Sequence, residues 1–146
     1  MKTIALSCLV VLVLILGCSP QKASSIEGTW KIVNATWVRG DTLVGQFPGN
    51  WTGGGMKIWS KGYFAFVGRY KVDTSFGDTY GGGRYNLDGD RYNEIIQYHV
   101  VTGMVGDTVK MLLEVKNDTL VQTWPIGTDG KIDKKNFQQE KYTRLN

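Results

Sequence analysis

The chain has 146 residues, the size of about one domain, and carries 17 Lys+Arg against 13 Asp+Glu for a net charge of +4. Its 42% hydrophobic and 21% charged content is that of a globular chain rather than a disordered one. The 19 glycines follow no three-residue period, which excludes collagen, and one histidine with two cysteines cannot supply the roughly four ligands of a structural zinc site, so neither metal nor cofactor is expected.

Residues 1–17, MKTIALSCLVVLVLILG, begin with a basic Lys2 and carry an apolar run from Leu9 to Leu16. The run is too short to span about 30 Å of hydrocarbon, which takes roughly 20 residues. It reads as a cleaved signal peptide. It ends in Ile15-Leu16-Gly17-Cys18, which resembles the lipobox of bacterial lipoproteins. That resemblance implies cleavage before Cys18, acylation of Cys18 and, with Ser19 in place of an aspartate, anchoring to the outer membrane. An ordinary secretory signal with a chance cysteine is the alternative. Residues 18–26 then form a lipidated polar tether and 27–146 the folded domain. With Cys8 removed and Cys18 acylated, disulfide and thiol chemistry are excluded.

From Gly28 onward, short β-rich runs alternate with turn residues, and no helical apolar stripe of useful length occurs. The expected strands are Thr29–Val38, Met56–Ser60, Tyr63–Val72, Gly81–Leu87, Arg91–Thr102, Thr108–Val115, Thr119–Pro125 and Phe137–Leu145. Asp88-Gly89 marks a hairpin, Asn117-Asp118 another, and Thr128-Asp129-Gly130 a last polar connection. The fold class is therefore all-β: an eight-stranded antiparallel up-and-down barrel, with an open sandwich as the alternative. Gly53-Gly54-Gly55 and Gly81-Gly82-Gly83 precede no helix and are not phosphate loops. They read as bends, or as room for a large neighbour such as a ligand.

Gly28-Thr29-Trp30, opening the first strand, resembles the lipocalin signature. The resemblance implies that Trp30 plugs the closed end of a barrel and that Arg144, in the last strand, packs over it. Guanidinium on indole adds a cation–π attraction of about 0.5–2 kcal/mol. The mature chain also looks like the small lipocalin-like lipoproteins of glycan-degrading bacteria. The stretches that carry this likeness are Gly28–Lys31, Gly83–Gly89 with Glu94 and Tyr98-His99, and Glu140–Leu145.

A two-residue Asp88-Gly89 loop would set Leu87 opposite Asp90 and Tyr85 opposite Tyr92. One face then carries Gly81, Gly83, Tyr85, Tyr92, Glu94, Ile96 and Tyr98, and the other Gly82, Arg84, Asn86, Arg91, Asn93, Ile95, Gln97 and His99. The first face is aromatic with one carboxylate, as suits a wet cup, and Glu94 stands out on it. Its plain alternative is a structural carboxylate bridging tyrosine hydroxyls or a lysine. A slip or bulge would exchange the faces and turn Arg84 and His99 inward. His99, with its near-neutral unperturbed pKa, is the natural proton carrier if chemistry occurs; otherwise it is a satisfied core histidine. Trp51 and Trp59 are placed near the barrel mouth, while Phe64, Phe66, Tyr70, Met111, Leu113 and Val115 read as core.

No GxSxG occurs, and two-carboxylate glycoside hydrolysis is poorly supported, with Glu27 and Glu140 near the ends. Elimination of water at a terminal uronic acid needs a cation, a base and an acid, and no cofactor. The candidates are His99, Glu94 and Tyr98 as catalytic groups, with Arg84, Tyr85, Tyr92, Trp51 and Trp59 binding substrate. One expectation is thus a lyase on acidic oligosaccharides, resting mainly on the resemblance. The other is a non-catalytic carrier of a small apolar or amphipathic ligand. No nucleic-acid motif accompanies the Lys131, Lys134 and Lys135 cluster.

Overall fold

In the computed structural model, residues 26–145 are described; the expected leader, Cys18 and the tether up to Ser25 lie outside them. Nine strands follow in chain order: β1 (Gly28–Arg39), β2 (Thr42–Phe47), β3 (Trp51–Ser60), β4 (Tyr63–Val72), β5 (Ser75–Asp88), β6 (Arg91–His99), β7 (Thr108–Lys116), β8 (Thr119–Trp124) and β9 (Asn136–Leu145). The hairpins turn on residues with positive φ: Gly40 and Asp41, Lys61 and Gly62, Asp73, Gly89, and Asn117. Consecutive positive values at the first two are what two-residue hairpin loops demand.

All neighbouring strands pair antiparallel, and β9 returns to β1 to close the sheet. The nine segments fill the eight places of a closed barrel because β2 and β3 take turns beside β1. Ala35–Arg39 of β1 pair with β2, whereas Gly28–Lys31 pair with β3. β2 and β3 are thus two pieces of one interrupted strand. The sequence showed neither β2 nor the first half of β3, where Gly45, Pro48 and Gly53–Gly55 weaken the β signal.

The two ends of the barrel differ. At one end Trp30, Trp59, Phe64, Tyr92, Leu113, Leu120 and Tyr142 are buried in one cluster. Trp30 is fully enclosed, donates its indole N–H to Ile26 O at 2.8 Å, and lies under the Arg144 guanidinium at 4.2 Å. Arg144 also donates to Glu27 O at 2.7 Å. This is the plug expected of the pair. Gly28 permits it: its φ is +127°, and a Cβ there would meet the guanidinium at 2.8 Å. Ile26, expected in the tether, is instead buried in this cluster.

Candidate ligand cavity

The other half of the barrel encloses a cavity of about 540 Å³, within the usual range for small-molecule sites. Its upper wall is aromatic. Trp37 and Trp51 meet edge to face at 3.9 Å between centroids, Tyr70 stands 6.2 Å from Trp51, and Trp124 and Phe66 complete the wall with Met104, Val109 and Met111. The tight glycines make room for the protein's own rings: a Cβ on Gly81 would meet Phe66 at 2.6 Å, and one on Gly55 would meet the Tyr70 hydroxyl at 3.2 Å. The Trp37 indole N–H is buried and has no hydrogen-bond partner among the described residues.

The floor is polar. Lys57 and Glu94, each 3% exposed, form an ion pair. Lys57 Nζ also donates to Gln122 Oε1 at 3.2 Å, within 5.2 Å of the Trp59 and Phe64 ring centres. Tyr92 donates its hydroxyl to Glu94 at 2.8 Å and accepts the Trp59 indole N–H at 2.6 Å. Gln122 Nε2 donates to Glu140 Oε2 at 2.7 Å, and the Tyr142 hydroxyl donates to the same oxygen. The layer's members thus satisfy most of one another's hydrogen bonds, as buried polar groups require.

Burial raises the Glu140 carboxyl above the usual carboxylate range, while Lys57 pulls it back down. Burial, with Glu140 adding to it, pushes the Tyr70 phenol up to about 12. Burial likewise lifts Tyr92 and Tyr142, each beside a carboxylate. All three remain neutral hydrogen-bonding groups at ordinary pH.

The β5–β6 hairpin decides which expected residues reach the cavity. Its loop is Gly89-Asp90 rather than Asp88-Gly89, so Asp88 faces Arg91 and Tyr85 faces Glu94. That shift of two in register keeps Tyr85, Tyr92, Glu94 and Ile96 on the inner face. Above Gly83 the register then slips, pairing Gly82 with Tyr98 and Gly81 with His99. The extra residue, Gln97, turns Tyr98 outward, where it is 72% exposed, and turns His99 into the cavity wall. His99 Nδ1 accepts the Val101 amide at 2.9 Å, which leaves Nε2 to carry the proton of the neutral ring. Its ring lies edge-on to Phe66 at 5.7 Å.

Of the candidates, then, Glu94, His99 and Trp51 line the cavity. Tyr92 and Trp59 lie fully buried beneath it, and Trp59 belongs to the plug rather than to the mouth. Tyr85 packs at a tilt against Tyr92, 5.7 Å between ring centres, also below the floor. Arg84 stays outside, donating to the Tyr63 hydroxyl at 3.0 Å over that ring. The elimination inventory is therefore split between the two sides of the wall. Lys57, Gln122, Glu140, Trp37 and Trp124 also line the cavity and were not among the site residues expected from the sequence. Parity could have found three of them: Gln122 and Trp124 share the face of Leu120, and Glu140 that of Tyr142.

The chain matches no known family, no curated protein and no solved structure.

Proposed function

We propose that the barrel is a binding cup for a small amphipathic ligand, held without covalent chemistry. The observation that carries this is the aromatic-walled cavity of about 540 Å³ above a polar layer whose ionised pair is already satisfied. A ligand's apolar body gains about 25 cal/mol for each Å² it buries against Trp37, Trp51, Trp124 and Phe66. The polar layer sets orientation. Native mass spectrometry of the purified protein, with tryptophan fluorescence on adding amphiphiles, tests the reading. Uptake of one small molecule per chain is expected; an empty chain that no amphiphile perturbs would overturn it.

A second reading, elimination on a uronate-ended oligosaccharide, draws on His99 standing in the cavity wall. It lacks an inward Arg84 or Tyr98 to help. Absence of new ultraviolet absorbance with acidic oligosaccharides would remove it.

The anchor proposed at Cys18 complements the cup. Ile26 and Trp30 sit together at the plugged end, so a lipid on Cys18 would tether that end and leave the mouth facing away from the membrane. Radiolabelled palmitate should enter the native chain and not a Cys18→Ala variant.

A further inference from the structure

Resting on the cup reading, the charges inside the barrel say which head group it takes. Lys57, from β3, is committed to Glu94 and Gln122. From β6 come Glu94 and His99, from β4 Tyr70, and from β9 Glu140 and Tyr142. At the rim, Asp78 of β5 is paired with Arg69, at 2.8 Å between Nη2 and Oδ2. The interior therefore holds two carboxyl groups against one lysine; Glu140, whose pKa burial raises and Lys57 lowers, forms no ion pair among the described residues and is a negative charge only once it ionises.

The two hydrogen bonds that Glu140 receives both fall on Oε2. Its Oε1 takes none among the described residues, and the side chain lines the cavity. Above it stand the rings of Tyr70, Trp124, Trp51 and Trp37, whose π-faces attract cations and repel anions. A carboxylate head would meet Glu140 with no uncommitted lysine or arginine lining the cavity among the described residues. An alcohol would gain a hydrogen bond but no charge.

We infer that the cup selects an organic cation: an amphipathic amine or quaternary ammonium whose charged head faces Glu140 and whose apolar body lies among the tryptophans.

Three probes with one tail separate this from the cup reading itself: decyltrimethylammonium, decanol and decanoate, each below its micelle concentration, titrated into the purified protein with calorimetric and fluorescence readout across about pH 5 to 9, because the preference needs the ionised Glu140 carboxyl. The ammonium is expected to bind about tenfold or more tighter than decanol, with decanoate weakest. In Glu140→Gln the ratio of ammonium to decanol should collapse towards one. If decanol binds but the native chain shows no ammonium preference, or Glu140→Gln keeps it, the cation inference falls and the cup stands. If none of the three binds, the cup reading falls, and this inference with it. Should Glu140→Gln fail to fold, the ratio in the native chain decides alone.

Discussion

Lys57 is a cation held where solvent scarcely reaches, its charge answered by Glu94 and its remaining donors by Gln122 and aromatic faces. Replacing it with Met fills similar volume but strands the Glu94 carboxylate. The expected loss is about 3–5 kcal/mol in urea unfolding. Adding Glu94→Gln should restore much of it, because the uncompensated charge, rather than the missing contact, is the larger cost. A double variant no more stable than Lys57→Met would refute this. Glu140 gives a pH signature instead. Its folded pKa is raised above the ordinary 4.5, so the folded state holds that proton more tightly than the unfolded state does. The stability it contributes is present below about pH 4.5 and is lost as pH rises through the folded pKa. Glu140→Gln cannot ionise, so native stability should fall relative to the variant over that window. Asp78 and Asp133, held low by their hydrogen bonds, act at more acid pH and in both proteins alike. Urea midpoints of the two proteins from about pH 4 to 8 measure the difference, and parallel curves would count against the assignment.

Among the elements, the β5–β6 hairpin shows what one residue of register does. Gly83 sits at the slip, where a Cβ would collide with the Ile95 carbonyl. Gly83→Ala is expected to cost about 1–3 kcal/mol. Gly54→Ala, in open space on β3, should change stability by less than about 0.5 kcal/mol. Equal melting temperatures for the two would contradict the steric argument. Most strands were legible from turn residues and β-rich runs, because hairpin loops are local chemistry. The bulge at Gln97 was foreseen only as an option, since nothing in Gln97-Tyr98-His99 announces it. β3 was harder still. Met56 and Ile58 alternate with Lys57 and Trp59, and the apolar pair would ordinarily be assigned inward. The structure reverses that: Met56 and Ile58 are 43% and 45% exposed, and Lys57 is buried. Only partners distant in sequence, Glu94 and Gln122, make this tolerable, and no local pattern names them. The plug was more legible, because Trp30 and Arg144 mark the two strands that close the barrel.

At the scale of the whole molecule, stability is unevenly placed. The plugged end carries the close-packed cluster around Trp30 and Trp59, while the other half surrounds a cavity. At the rim, β2 is paired along its length to β1 alone, and Ser75–Thr79 of β5 to β4 alone. β1 near Trp30 is bonded on both sides, by β3 and β9. Local opening should therefore release the amides of β2 and Ser75–Thr79 well before those of Trp30–Ile32, which exchange only on global unfolding. A ligand seated in the cavity is lost when the rim opens, so it should slow those rim amides. At a concentration one hundred times Kd, linkage gives about 2.7 kcal/mol, or roughly a hundredfold. Hydrogen exchange with and without ligand reads both effects. Uniform protection at the two ends would contradict the first. A ligand that protected only the outer face around Tyr63, Arg84 and Tyr98 would contradict the second, and would move the binding site out of the barrel.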